Sequence, residues 1–156
     1  MRTNVLCFVI DNESFPTCGG CDYECLKQEL CCPVLPEDQR KIMDSVTEAD
    51  LVYYIVPNYC GYPCANYFSF NERSIGYFNK DRNLMEKNMA VKKRFIIISN
   101  TENNFAEAMR QQIYDQPDIL YLKTRKYLKQ SIAGDLMTSE AAKADLRAFL
   151  ALEASL

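Results

Sequence analysis

The first candidate chemistry in this chain lies in a cluster of cysteines near the amino terminus. The chain has eight Cys and no His. Four of the Cys follow the spacing C-x2-C-x3-C-x5-C, with two glycines inside the first pair. Thiolates ligate soft metals, and four that are close in sequence can surround one Zn²⁺ ion or one iron–sulfur cluster. The candidate metal ligands are Cys18, Cys21, Cys25 and Cys31.

Two other interpretations of this cluster stay open. Free thiols behave as small apolar side chains, and the irregular spacing lacks the repeated C-x2-C of a zinc ribbon. The same residues therefore equally suit a loop that is held by packing. A redox pair of Cys18 and Cys21 is less favoured, because no helix start follows it to lower a thiol pKa. The lack of His excludes His-based catalytic triads and mixed Cys/His zinc sites.

The second candidate site is a loop that follows an apolar run. Residues 51–56 are apolar, and the run stops at Pro57 and leads into a turn-rich loop that ends at Pro63. A second loop, residues 100–104, follows the apolar run at residues 94–99. In α/β folds, ligands bind where the carboxyl ends of parallel strands open onto such loops. We expect the two loops to lie side by side.

The residue types in these loops suit a flat ligand with polar edges, such as a flavin. Tyr59 and Tyr62 offer stacking surfaces, Gly61 allows close approach of the backbone, and the second loop is rich in amides and hydroxyls. Aromatic residues after a strand also commonly cover the core, and on these residues alone that interpretation is slightly favoured.

Strand and helix signals alternate four times along the chain, which predicts an α/β layer fold with a parallel sheet. The predicted helices begin near Pro36, extend over residues 64–78 and 104–114, and begin again near Thr138. Residues 79–91 are polar and show no clear element, and Cys7 is expected to lie in the core. The predicted strands are residues 5–10, 51–56, 94–99 and 119–122.

Composition limits the class of protein. With 156 residues, 48% of them hydrophobic and 25% charged, the chain is expected to form one globular domain over residues 1–156. The net charge of −3 argues against nucleic-acid binding, and the short basic run Lys92-Lys93-Arg94 is expected to be a solvated strand entry. No apolar run approaches the roughly 20 residues that span a membrane, and no signal-peptide pattern is present. We expect a cytoplasmic protein with reduced thiols.

The order of these motifs resembles the flavodoxin-like NAD(P)H-dependent FMN reductases, and in particular their iron–sulfur flavoprotein branch. The resemblance covers about residues 5–100. It rests on the Cys segment, an acidic pair, Ala-Asp before an apolar strand, a Pro-x-Tyr-x-Gly loop and a helix with matching residues further along. The residues that carry it beyond the Cys segment are Glu37, Asp38, Ala49, Asp50, Pro57, Tyr59, Gly61, Ala65, Phe70, Glu72 and Arg73.

The resemblance implies a flavodoxin-like three-layer sandwich with a reduced parallel sheet of about four strands. It implies an FMN-dependent oxidoreductase in which the four candidate Cys bind a [4Fe–4S] cluster that passes electrons to FMN. A zinc ion at the same Cys remains an alternative. The implied cofactor-binding residues are Pro57, Asn58, Tyr59, Cys60, Gly61, Tyr62, Ser99, Asn100, Thr101 and Asn103.

In this alignment of motifs, residues 5–10 occupy the family's second strand, so its first strand and its phosphate loop have no counterpart. A missing central strand leaves a sheet edge that something should cover, which predicts a homodimer or a partner redox protein. Two alternative functions are a non-catalytic, flavodoxin-like protein-binding module and a four-cysteine protein in which zinc clamps the loop.

Overall fold

The structure is a computed structural model that describes residues 4–10, 18–27, 32–79, 81–100, 118–129 and 134–151. It divides into two units, the first made of Met1–Val52 and Ala65–Lys92 and the second of Tyr53–Cys64 and Lys93–Leu156. That the whole chain is one domain stays a prediction.

The second unit contains nearly all of a four-stranded, mostly parallel sheet. Its strands are β1 (Leu51–Tyr59), β2 (Tyr62–Pro63), β3 (Lys92–Ser99) and β4 (Asp118–Lys123), in the order β2-β1-β3-β4. β1 and β2 are antiparallel, whereas β3 and β4 are parallel and pair from Arg94 opposite Asp118 to Ser99 opposite Lys123. The side chains of Phe95 and Ile97 are fully buried.

One face of this sheet packs against helices of the same unit, α4 (Thr124–Leu128) and α5 (Glu140–Ala151). A 3₁₀ turn, Leu136–Thr138, comes just before α5. Apolar side chains from β3, β4, the turn and α5 form one cluster, because alternate strand residues and one helix stripe face each other. Its buried members are Ile96, Leu122, Leu136, Ala142 and Phe149.

Arg94 connects β3 to three other elements of the second unit. Its Nε donates to Asp118 Oδ2 at 2.5 Å, and its Nη1 donates to Tyr53 Oη at 3.2 Å and to the Phe149 carbonyl at 2.5 Å. The guanidinium carbon lies 3.7 Å from the centroid of the Phe149 ring. Only 1% of the Arg94 side chain is exposed. A buried cation is tolerated only when it is paired and hydrogen-bonded, and this one is.

The basic run at the start of β3 is therefore not a solvated strand entry, and that prediction was wrong for two of its three residues. Lys92 is exposed, but Lys93 is half-buried and Arg94 is buried. Desolvation lowers the pKa of Lys93 to about 8. Composition alone did not reveal this burial, because the partners of Arg94 lie 24 to 55 residues further along the chain or 41 residues before it.

The first unit contains three described helices, α1 (Glu37–Glu48), α2 (Ala65–Phe78) and α3 (Arg82–Ala90). α1 begins directly after Pro36 and has two acidic residues in its first turn, where the helix dipole favours them. Its Ile42, Met43 and Val46 pack with residues of α2 and of the segment before α1. The core of this unit is Cys32, Leu35, Ile42, Met43, Val46, Phe70 and Tyr77.

The predicted α/β class with a reduced parallel sheet of about four strands is confirmed, with β2 as an antiparallel addition. The helix predicted over residues 64–78 is α2, and the strands predicted at residues 94–99 and 119–122 are β3 and β4. The helix predicted over residues 104–114 lies outside the described residues.

Residues 5–10 do not form a strand, contrary to the prediction. They have no regular secondary structure, and Val5 and Val9 expose 80% and 82% of their surface. Cys7, expected in the core, is exposed. Ile10 contacts the first unit, because Asn66 Nδ2 donates to its carbonyl at 3.1 Å and its side chain packs on that unit's core. Apolar, β-branched composition favours a strand but does not supply the partner that a strand requires.

The other differences lie at element boundaries and in short helices. β1 continues through Pro57 to Tyr59, because Pro57 needs no donor there and its carbonyl accepts from Cys64 N at 2.9 Å. α3 was missed, although the side chain of Asp81 caps it by accepting from Asn83 N at 2.8 Å. The predicted cap Thr138 belongs to the 3₁₀ turn, and Ser139 Oγ accepts from Ala142 N at 3.3 Å instead. The short helix α4 was also missed.

Candidate functional site

The predicted ligand loop after β1 is a tight hairpin. Cys60 and Gly61 are its two turn residues, with φ of 50° and 86°. Positive φ at both positions is the type I′ geometry, whose twist matches that of the flanking strands. Tyr59 and Tyr62 lie directly opposite each other across the hairpin, and both are exposed. The turn therefore presents two aromatic side chains on one face at the carboxyl end of β1.

The opposite face of the hairpin contains an unusual polar group. Asn58 is 5% exposed, and neither its Oδ1 nor its Nδ2 has a hydrogen-bond partner among the described residues. Its cross-strand neighbour, Pro63, is also buried. A buried amide without partners costs about 1–3 kcal/mol, so such groups are rare in folded proteins. Gln39, in the first unit, also has an unpaired oxygen, but its Nε2 donates to the Phe70 carbonyl at 2.7 Å.

The second predicted loop begins at the same end of the sheet. β3 lies beside β1 and ends at Ser99, which is buried, and Asn100 follows and is exposed. The structure therefore brings together Asn58, Tyr59, Tyr62, Ser99 and Asn100 at one end of the two neighbouring strands. The other predicted residues of this loop, Thr101 and Asn103, lie outside the described residues.

The candidate metal ligands lie in the first unit. Cys18 is exposed, and Cys21 and Cys25 are partly buried. Burial, followed by the nearby thiols of Cys32, Cys21 and Cys18, raises the pKa of Cys25. Cys25 is therefore close enough to these thiols for their charge to affect it. Cys31 lies outside the described residues, and Cys32, which the sequence analysis did not choose as a ligand, is the buried thiol near Cys25.

Helix α2 and the residue that follows it hold the thiol segment, of which residues 18–27 and 32 are described. Cys18 N donates to Glu72 Oε2 at 3.2 Å, Asn79 Nδ2 donates to the carbonyl of Cys25, and Cys32 N donates to the carbonyl of Gly76 at 3.3 Å. The motif comparison had marked Glu72, but Gly76 and Asn79 were missed. A glycine inside a helix was the available signal, because it often marks a close approach of another backbone.

Arg73, which the motif comparison also marked, is buried in the same helix. Its Nη1 donates to the Val34 carbonyl at 2.9 Å and so fixes the chain just after the last thiol.

Glu24 is an acidic residue in the described part of the thiol segment. Hydrogen bonds lower the pKa of its carboxyl; those from backbone N–H groups contribute most, and the Cys21 thiol contributes less.

The described thiols do not form a finished metal site. No three Cys, Asp or Glu side chains within the described ranges are grouped closely enough to hold a metal ion. A closed four-thiolate centre requires Zn–S distances of about 2.3 Å from all ligands, and one predicted ligand is not among the described residues. The structure thus brings the thiols near each other without assembling them around one point.

Comparison with known proteins identifies no family. No protein-family model, curated protein or solved structure matches this chain. The resemblance to the FMN reductases therefore stays a prediction. None of the helices in the described residues is long and apolar enough to cross a membrane.

Proposed function

We propose that this chain is a flavin-dependent redox protein that binds the isoalloxazine ring at the β1 hairpin. The observation that carries the proposal is the buried carboxamide of Asn58, whose donor and acceptor both lack partners among the described residues. A ligand that satisfies both atoms would remove their desolvation cost.

The chemistry of the hairpin favours a flavin over an aliphatic ligand. A carboxamide presents one acceptor and one donor side by side. The pyrimidinedione edge of a flavin presents the complement, an N–H beside a carbonyl. Tyr59 and Tyr62 lie on the other face of the hairpin, so the proposed ring bonds to Asn58 without stacking on these two side chains. Ser99 and Asn100 at the end of β3 supply further polar groups.

In this proposal the residues of the two strand ends hold and orient the ring. A bound flavin supplies hydride and electron transfer itself, which fits a chain with no His for acid–base work. The proposed reductant is NAD(P)H, as the motif resemblance implies, and the proposed activity is that of an NAD(P)H-dependent flavin oxidoreductase.

Asn58→Leu tests the role of the unsatisfied Asn58 amide in two independent ways. The substitution removes an unsatisfied buried amide and keeps the branched shape of the side chain, so we expect the ligand-free protein to become more stable by about 1 kcal/mol. The same change should weaken flavin binding at least about tenfold, because two hydrogen bonds to the ring are lost. Urea unfolding measures the first effect, and quenching of flavin fluorescence on titration measures the second.

Asn66→Leu is the matched control. The Asn66 amide is satisfied by the Ile10 carbonyl at 3.1 Å. This variant should lose about 1 kcal/mol of stability and keep its flavin affinity. FMN and riboflavin are titrated in parallel, and Asn58→Leu should weaken both equally, since the two ligands share the ring. If neither ligand binds the wild-type protein, flavin binding is refuted and the non-catalytic protein-binding module becomes the better proposal.

A second candidate function is a metal or cluster centre at the thiol segment. It is favoured by the position of Cys25, which packs against the core cluster that contains Cys32, and by the short sequence spacing of Cys18, Cys21 and Cys25. We propose Cys18, Cys21 and Cys25 as three ligands, with Cys31 or Cys32 as the fourth. The centre would be a [4Fe–4S] cluster or Zn²⁺, since both accept thiolates.

Matched Cys31→Ser and Cys32→Ser variants identify the fourth ligand. The substitution of a true ligand should reduce the iron or zinc content of the purified protein, whereas that of its neighbour should not. A broad absorption shoulder at about 400 nm distinguishes a cluster from colourless zinc. Wild-type protein purified without oxygen that contains neither metal would show that these are plain thiols.

We also propose that the protein works in the cytoplasm, as a homodimer or with a partner redox protein. The proposal of a reducing compartment rests on the high number of cysteines in a chain without a signal-peptide pattern. Sedimentation of the purified protein, alone and with candidate electron carriers, tests the assembly.

A further inference from the structure

We propose that a second copy of this chain covers the outer edge of β1 by adding its residues 5–9 as a further strand. The inference rests on the proposed homodimer and specifies its interface. It follows from two features. The first is the edge of β1, where the backbone groups of Tyr53 and Ile55 point outward. The second is the exposed apolar segment of residues 5–9, which forms no strand.

The hairpin determines which backbone groups point out from this edge. Tyr59 and Tyr62 flank a two-residue loop, so they form a hydrogen-bonded pair and their backbone groups point at each other. The bond from Cys64 N to the Pro57 carbonyl shows the same direction two residues earlier. Because direction alternates along a strand, the N–H and C=O groups of Tyr53 and Ile55 also point to this edge.

The edge is open where it is most apolar. β2 pairs only with Asn58 and Tyr59, and no strand among the described residues lies beside Tyr53 and Ile55 on this side. The Ile55 side chain is 63% exposed. An exposed edge without charged residues is a template for another strand, and natural proteins usually block or cover such edges. Pro57 ends the usable edge, since it has no N–H and its carbonyl is already occupied.

The chain itself contains a segment with the matching chemistry. Residues 5–9, Val-Leu-Cys-Phe-Val, contain no charged or turn-forming residue and are rich in strand-favouring types. Their side chains are exposed, and the segment has no regular structure. Ile10 fixes its end to the first unit through Asn66. The segment is thus held at one end and presents apolar residues to solvent.

The properties of the edge favour this occupant. The five residues of the segment match in length the five from Tyr53 to Pro57. Neither stretch contains a charge, so pairing buries apolar side chains and satisfies backbone groups without desolvating an ion. Two copies can make this exchange reciprocally, which closes the assembly at a dimer.

Two variants block the two sides of the interface separately. The double substitution Leu6→Pro, Cys7→Pro removes two neighbouring backbone N–H groups. Because successive N–H groups of a strand point to opposite sides, pairing is blocked whichever side faces the edge. Ile55→Lys places a charge on the open edge. Ile75→Lys is the matched control, because Ile75 is similarly exposed on α2. Far-ultraviolet circular dichroism and urea unfolding verify that each variant remains folded.

Sedimentation of the full-length protein across the micromolar range is the readout. We expect wild type and Ile75→Lys to form a dimer of twice the 18.0 kDa chain mass. The dimer dissociation constant of each blocking variant should be at least about tenfold higher than that of wild type. An equal mixture of the two blocked variants should recover association, because one intact edge meets one intact segment.

The possible results distinguish the proposed strand addition from dimer formation by another interface. Recovery in the mixture supports strand addition, since a general apolar association would not be restored by combining two weakened surfaces. A wild-type dimer that tolerates both blocking variants overturns the strand addition but leaves the homodimer. A wild-type protein that is monomeric throughout overturns both, while flavin binding is tested separately through Asn58.

Discussion

At the scale of single residues, Gly76 and Tyr77 each make a close contact that depends on the residue type at that position. Gly76 lets the backbone of Cys32 approach helix α2, and a Cβ at Gly76 would overlap the Cβ of Cys32. Tyr77 is 2% exposed and donates to Asp44 Oδ1 at 2.5 Å. Each contact stabilises the first unit near the thiol segment. Each therefore predicts whether a substitution or a change of pH raises or lowers stability.

Gly76→Ala should destabilise the protein, although the same change inside a helix usually stabilises it by about 0.5–1 kcal/mol. The new Cβ would overlap Cys32 and lie 3.3 Å from its Cα and N, so we expect a loss of about 1–3 kcal/mol in urea unfolding. Adding Cys32→Gly should reduce the penalty of Gly76→Ala, because the overlapping atom is removed. A stabilising effect of Gly76→Ala alone would contradict the close approach.

Tyr77 should make stability fall at high pH. Burial, followed by the hydrogen bond to Asp44, raises the pKa of Tyr77 to about 12, whereas unfolded tyrosine titrates near 10. The folded state therefore favours the protonated hydroxyl. This contribution is complete below about pH 10 and is lost as the pH rises through 12, by about 2 kcal/mol at pH 11.5.

The comparison of wild type with Tyr77→Phe isolates this effect. The variant should be less stable near neutral pH, because it lacks the hydrogen bond to Asp44, but its stability should change less between pH 9 and 11.5. Urea midpoints at the two pH values measure the difference. Equal slopes for the two proteins would show that Tyr77 ionises as easily in the folded state as in the unfolded one.

At the scale of elements, Arg94 decides how the strands and the last helix of the second unit are held together. One buried guanidinium bonds to the start of β4, to β1 and to the backbone of α5. Five directional donors in a planar group make this possible, and a lysine ammonium would not reproduce the arrangement. The exposed pair Arg82–Glu86 within α3 offers a contrast, since it joins two residues of the same helix at 3.4 Å.

Arg94→Met should therefore cost much more than Arg82→Met. Removing Arg94 leaves the Phe149 carbonyl and part of Asp118 without a partner, and we expect a loss of about 2–4 kcal/mol. Removing Arg82 breaks an exposed helix pair, which contributes about 0.5 kcal/mol or less. Thermal and urea unfolding of both variants measure the difference. A loss from Arg94→Met as small as that from Arg82→Met would show that the buried network adds no net stability.

At the scale of the whole molecule, flavin binding and strand addition are the two predictions that require the complete chain. The proposed flavin site needs the ends of β1 and β3, which are neighbours in the sheet although more than 30 residues separate them in sequence. The proposed dimer needs an edge strand and an amino-terminal segment from different copies. Neither requirement can be satisfied by an isolated peptide.

Much of the architecture was predictable from sequence because it depends on local signals. The apolar runs at β1, β3 and β4, the acidic first turn of α1 and the stripe of α5 each lie within about 15 residues, so their patterns are visible without a partner. The same local reasoning placed a turn between Pro57 and Pro63, whereas the candidate metal ligands stay a prediction. It missed α3, where a polar helix begins at an Asp81 cap and has no strong apolar stripe.

The sequence alone determined the α/β class, the main strands and helices, and the types of chemistry available, because residue type and short-range periodicity encode them. The tertiary structure decided that residues 5–10 remain outside the sheet, that Cys32 lies near Cys25, that Arg94 is buried and that the Asn58 amide is unsatisfied. The burial of Arg94 and the position of Cys32 beside Gly76 depend on partners far away in sequence, and whether any group finds a partner is settled only when the whole chain packs.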